Sequence, residues 1–247
     1  MFYNKYFIIR KGDFATDGNK KLYYTLFSML LCFDDYLNES IDCFKIMVGS
    51  TFVWTLIEFA LYYSRTRVMK PMYFTDLYNN KYLIPRTFSI ILQGSQEGGV
   101  VTTFGLYFGD RLHNFKHFLY LHMLIGYIIF NMSFKQNISK VASKREINSK
   151  GSLITMGTIT LYNVYNLYLY PNQLIRQMRL LFVMVYVCSI WTYIAYLKGF
   201  RGVESRCIIN GKTVIEKKSI MNTFLILGYD VFFEIGVAYL SFYNWFI

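Results

Sequence analysis

A chain of 247 residues that is 54% hydrophobic, 20% aromatic and 17% charged is too apolar for an ordinary soluble domain and too polar to be buried in lipid throughout. Its net charge of +11 would suit a nucleic-acid binder, but the Lys and Arg residues sit in gaps between apolar runs instead of on one folded face. Nucleic acid is thereby excluded as a partner, and the composition predicts an all-α fold: a polytopic integral membrane helical bundle of about seven transmembrane helices.

Residues 1–21 carry Lys5, Arg10, Lys11, Lys20 and Lys21 and read as a cytoplasmic N-terminal segment; residues 22–247 read as a single transmembrane helical domain. The first apolar stretch, Leu22 to Phe33, is shorter than the ~20 residues that cross a bilayer. It is nevertheless expected to span, with Lys20 and Lys21 snorkelling at one end and Asp34 and Asp35 in water at the other, because otherwise the five leading bases fall on the wrong side. A re-entrant or interfacial helix is the alternative. A cleaved signal peptide is not expected, since the long lead runs into Phe33, Asp34 and Asp35 with no small-residue cleavage site.

Six further stretches follow: Phe44 to Tyr63, Thr87 to Phe108, His117 to Ser133, Gly151 to Tyr170, Arg179 to Leu197 and Ile220 to Phe246. Counted from the N-terminus, the gaps hold 5, 0, 5, 2, 5, 1 and 6 Lys or Arg, and the C-terminus holds none. Alternation of this kind predicts the rich gaps in the cytoplasm, or in the matrix if the membrane is mitochondrial, with the N-terminus inside and the C-terminus opposite. Pro71, Pro85 and Pro171 all fall in gaps, so uninterrupted helices are expected. Of the sequons at Asn38, Asn131 and Asn137, only the first would face outward.

Polar groups interrupt two of the stretches. In the third, Gln93 and Glu97 are four residues apart and share a helix face, with Gln96 beside them; in the seventh, Asp230 and Glu234 repeat that spacing. No Lys or Arg falls at matching depth within any stretch, so Glu97, Asp230 and Glu234 are the predicted proton- or ion-binding groups, with Gln93 and Gln96 as hydrogen-bond partners. Glu58 lies nearer the cytoplasmic end, where it either joins this set or reaches Arg65 or Arg67. Such groups serve as interhelical glue, as a path for protons or cations, or as a site for a cationic head group. Gly94 with Gly98, and Gly105 with Gly109, form G-x-x-x-G pairs that predict close helix packing.

Asp34, Asp35, Glu39 and Asp42 gather in a gap without bases and predict an acidic vestibule. Asp110, His113 and His117, at i, i+3 and i+7 of a helix, are candidate metal ligands. The bland reading places these histidines at head groups. Cys32, Cys43, Cys188 and Cys207 lack CxxC spacing, and a bridge between Cys32 and Cys43 is left open. No nucleophile elbow, Walker loop or dinucleotide motif is present, which argues against familiar soluble enzyme chemistry. Seven helices with an inside N-terminus match the heliorhodopsins in count and orientation, but retinal is disfavoured because residues 221–247 hold no Lys for a Schiff base. No other cofactor is assigned.

Phe and Tyr, 23 of each, together with abundant Asn, Ile and Lys, suggest an AT-rich coding genome, which makes the mitochondrial inner membrane a candidate location; a protist or a large DNA virus fits as well. Three functions are therefore carried forward. The first is proton or cation transport through the acidic and amide site. The second is a structural or assembly subunit of an organelle complex (respiratory chain or ATP synthase) or of a viral membrane, and the third a lipid-modifying enzyme. Expected partners are membrane lipids, protons or cations, and either further copies of the chain or a larger membrane complex.

Overall fold

The computed structural model describes residues 5–11, 17–64, 71–133, 141–147, 149–216 and 219–247. The fold is mostly helical, with seven helices among the described residues. Helix α1 is Gly18–Leu37, started by Asp17, whose side chain accepts from the Lys20 N–H; α2 is Asp42–Tyr63. Helix α3 (86–110) runs through three sections without a break: α-helical Arg86–Gly94, π-helical Ser95–Val100 and α-helical Val101–Asp110. Helix α4 is Phe115–Ser133 and α5 is Lys150–Leu169; α6 is Leu174–Leu197 behind a short 3-10 turn at Pro171–Gln173. Helix α7 (220–246) again contains a π-helical section, Asp230–Val237, between Ile220–Tyr229 and Ala238–Phe246.

Three of these elements, Asp42–Tyr63, Pro171–Leu197 and Ile220–Phe246, are long and apolar enough to cross a membrane. The remaining four are shorter in their apolar part or more polar. Helix α3 is central: every residue from Thr102 to Gly109 is buried, so it is surrounded on all sides. Gly94 and Gly98 lie against α2, where an added Cβ at Gly98 would stand 2.5 Å from the Ser50 carbonyl oxygen and 2.8 Å from the Trp54 Cβ. Gly105 and Gly109 lie against α6, on Met184 and Leu180. Both G-x-x-x-G pairs thus sit where helix backbones approach closely.

The all-α expectation is corrected by two sheets. Strands β1 (Lys5–Lys11), β4 (Val141–Glu146), β5 (Arg201–Ile209) and β6 (Lys212–Glu216) form one antiparallel sheet in the order β4-β1-β5-β6, and β2 (Tyr73–Thr75) pairs with β3 (Lys81–Leu83). Ile8 of β1 stands opposite Arg145 on one side and Val203 on the other. Its side chain packs with Ile147 and Leu227, fastening the sheet to α7. The β5–β6 connection is a two-residue turn at Asn210 and Gly211, both with positive φ (51° and 75°), the conformation an Asn-Gly pair adopts most readily in a hairpin.

The placement of these strands orders the ends of the bundle. Three of the four basic gaps supply the four-stranded sheet, at the starts of α5 and α7. The fourth supplies the β2–β3 hairpin, which lies on the start of α1: the Asn19 amide donates to the Thr75 carbonyl oxygen and accepts from the Thr75 N–H, each at 2.7 Å. At the opposite end Arg111 reaches Asp35 at 2.8 Å, and Arg176 reaches Asp42 at 2.8 Å and Asp110 at 2.7 Å, joining the three gaps poor in bases.

Candidate functional site

The glycines of the third stretch set up the first polar network. Gly94, Gly98 and Gly99 bring α2 against α3, the 95–100 section beside them is π-helical, and Gln93, Gln96 and Glu97 meet side chains of α1 and α2. The expectation of uninterrupted helices therefore holds for the path of the chain but not for its hydrogen-bond pattern. Lys21 of α1 is 2% exposed, and its ammonium donates to Gln93 Oε1 at 2.7 Å and to Gln96 Oε1 at 2.6 Å. The Gln93 amide nitrogen donates to Glu97 Oε1, and the Trp54 indole N–H donates to Glu97 Oε2 at 3.0 Å. An ammonium and a carboxylate are thereby linked through one amide, which accepts from the first and donates to the second. Lys21 does not snorkel: an inward carboxylate and two amides offer it more than the surface does.

Around this relay, Thr25 and Ser95 share a hydrogen bond of 2.8 Å between α1 and α3, and Ser50 and Thr102 one of 2.8 Å between α2 and α3. The Trp54 ring meets Tyr239 edge-on at 5.0 Å, carrying the contact to α7.

The second π-helical section has different neighbours. Asp230 pairs with Arg201 at 3.4 Å, the two side chains being 0% and 2% exposed. The Arg201 guanidinium also donates to Thr192 Oγ1 and lies 5.0 Å from the Trp191 ring centroid. Glu234 accepts from Ser152 Oγ at 3.3 Å. Ser152 is in the first turn of α5, and Arg201 follows the last turn of α6, so Asp230 and Glu234 lie toward the basic end of the bundle. The structure does not bring Glu97, Asp230 and Glu234 into one cluster, and it supplies a base to Asp230. The reason is geometric: α7 extends beyond the ends of its neighbours alongside the sheet, so counting from Ile220 misjudges depth, and Arg201, read as a loop residue, is the first residue of β5 folded back on α7. Glu58 is fully buried. Arg65 and Arg67, its alternative partners, lie outside the described residues, as does the sequon at Asn137.

A further set of interior polar contacts is made by amides. Asn163 on α5 donates to the Val237 carbonyl oxygen at 2.7 Å and accepts from Asn244 Nδ2 at 2.8 Å and Ser241 Oγ at 3.2 Å, while Gln177 donates to Asn244 Oδ1 at 2.9 Å. The Asn163 bonds hold α5, whose only buried side chains are Asn163 and Asn166, to α7, and the Gln177 bond holds α6 to it.

The acidic vestibule is corrected as well. Asp35 pairs with Arg111, Asp34 accepts from the Tyr107 hydroxyl at 2.6 Å, and Asp42 pairs with Arg176; Glu39 alone of the four stands in an exposed turn, with φ 63°. The bases come from the other two gaps at that end, which one-dimensional counting kept apart. Asp110, His113 and His117 do not converge either. Helix α3 ends at Asp110 and α4 starts at Phe115, so the three residues are not on one helix; Asp110 is gripped through both oxygens by Arg176, and His117 packs edge-on against Tyr107 and Tyr120. Among the described residues no set of three His, Cys, Asp or Glu side chains is arranged to hold a metal. Cys32 and Cys43 are buried free thiols, with Cys32 Sγ 3.5 Å from Met47 Sδ.

Burial pushes the Asp35 carboxyl up, but the hydrogen bonds from Arg111, Ser40 and the Cys43 N–H, with the charge of Arg111, outweigh it and hold the group below the usual Asp value. A depressed carboxylate stabilises the fold fully above its unfolded pKa of ~3.9 and loses that contribution as pH falls through the lower folded value. Thermal unfolding in detergent between pH 5 and acid is expected to show this loss, and Asp35→Asn to flatten it. An Asn variant with the same acid slope as the parent would show that the group does not carry the effect.

Comparison with protein-family models, with curated proteins and with solved structures gave no match.

Proposed function

We propose that the chain is an integral membrane protein with seven spans, its sheet and β2–β3 hairpin on the cytoplasmic or matrix side and the Arg111 and Arg176 ion pairs on the other. The gathering of all four basic gaps at one end supports this topology, because the rule that assigns positive loops to one side needs them to lie together. Helix α5 supports it too, with polar Asn163 and Asn166 inward and Ile154, Leu161 and Tyr168 outward. In sealed vesicles, and in a Cys207→Ser background, cysteine at position 39 should react with an impermeant maleimide from one side and cysteine at position 212 only from the other. Labelling of both from the same side overturns the topology.

Within that frame the favoured function is a structural or assembly subunit of an organelle or viral membrane complex, in which the intramembrane charges lock helices together. The observation that carries it is the buried Arg201–Asp230 pair, which gives an acid expected to titrate a fixed internal counter-charge. Native gels should show the protein in a larger assembly, from which an Asp230→Asn or Glu97→Gln variant is lost; a monodisperse single chain, unaffected by either change, would refute it.

A second reading, proton or cation movement, rests on one coincidence. The two π-helical sections are the two that carry Glu97 and Asp230 with Glu234, and such sections concentrate at functional sites. Proton uptake into liposomes after a pH jump, abolished by Glu97→Gln with assembly intact, would favour it over the first. Parent protein that leaves liposomes tight removes it.

A further inference from the structure

We propose that the groove between α1 and α4 is a binding site for one acyl chain of an anionic phospholipid, with the head group held by Lys20 at the basic end. The cavity has a volume of about 600 Å3, within the range of built small-molecule sites. Its α1 wall is a single stripe, Lys20, Tyr23, Tyr24, Phe27 and Leu31, spaced so that all five face the same way. Met123 and Leu124 of α4 form the opposite wall, and Tyr107 and Phe108 of α3 form the floor. Phe27 is held edge-on by Phe104 at 5.6 Å, and Tyr107 by its bond to Asp34, so the groove is shaped by packed side chains and does not depend on a ligand to form.

Polarity along the groove selects the ligand. Helix α1 starts at the basic end, and α4 returns to it, so Lys20 and the tyrosines Tyr23, Tyr24 and Tyr127 share one mouth, while the middle is purely apolar. From Lys20 to Leu31 the stripe covers about 16 Å at ~1.5 Å per residue, close to the ~15 Å of hydrocarbon in one leaflet. An ammonium at the mouth of an apolar slot of leaflet depth complements a negative head group on a fatty chain, and the leaflet facing the cytoplasm is the anionic one. Lys20 meets Asp17 at 3.5 Å, with both side chains about a third exposed, a surface pair weak enough for a phosphate to compete. Lys21, the adjacent base, is turned inward to Gln93 and Gln96 and does not contribute.

This inference rests on the membrane reading, and one experiment separates the two. The full chain is reconstituted into vesicles of phosphatidylcholine containing a minor fraction of phosphatidylglycerol, each lipid tested in turn with a photoactivatable acyl chain, and the crosslinked peptides are mapped. Phosphatidylglycerol is expected to label α1 and α4 at the groove in clear excess over phosphatidylcholine. Lys20→Gln should lower that excess about fivefold, and Leu124→Trp, which fills the slot, should remove groove labelling by both lipids. Equal labelling by the two lipids in a vesicle-inserted protein overturns the site, as does labelling that falls outside the groove. Failure to float with vesicles overturns the membrane reading itself. Lys20→Gln, at the partly exposed mouth, keeps the test decisive should Leu124→Trp fail to fold.

Discussion

Replacing Arg201 with leucine is expected to destabilise the protein by roughly 3–5 kcal/mol, because it leaves Asp230 with no exposure to water and without the guanidinium that balances it. The measurement is thermal or denaturant unfolding in detergent, read by near-ultraviolet signals from Trp191, which lies against that guanidinium. Asp230→Asn is expected to cost a comparable amount, since it leaves the equally buried Arg201 guanidinium without its counter-charge. The double change Arg201→Leu with Asp230→Leu should recover most of the loss, because a buried pair can often be exchanged for apolar groups of similar size. Additive losses in the double variant would show that the two residues do not act as a pair.

Gly98→Ala is the second large effect. The new methyl group meets the backbone of α2 at Ser50, not the end of a flexible side chain, so neither helix can yield locally. Overpacking of this kind costs about 1–3 kcal/mol where the surroundings can shift; here the upper end is expected. The same displacement moves Trp54 away from Glu97, so its indole fluorescence should shift along with the unfolding midpoint. Gly126→Ala, at a position where an added Cβ meets nothing, serves as the comparison and should be neutral. Equal behaviour of the two variants would overturn the close contact between α2 and α3.

Helix number and chain path were legible because apolar runs and basic gaps are one-dimensional signals. Gly94, Gly98, Gly105 and Gly109 likewise announced the contacts they make, since a small residue repeating every four positions has few other uses in an apolar helix. The sheet was not read, although Asn210-Gly211 between Val203–Ile209 and Lys212–Ile215 is a strong short-range hairpin signal. The six Lys and Arg residues of that gap mark topology and mask its strand pattern. Partners of the charged and amide groups were hidden for a different reason. Arg201 with Asp230, Lys21 with Gln93 and Arg176 with Asp42 join residues far apart in the chain, and no spacing rule links them. Glu97 stands out in the sequence as an acid inside an apolar stretch, yet its indole donor, Trp54, carries no local mark.

Strand β1 occupies an inner place in the sheet, and both of its neighbours come from much later in the sequence. Its backbone therefore gains a partner on one edge only after residue 141 has been made, and on the other only after residue 201. A bulky group fused ahead of Lys5 should therefore hinder the closing of that end while leaving the helical hairpin of α1 and α2 intact.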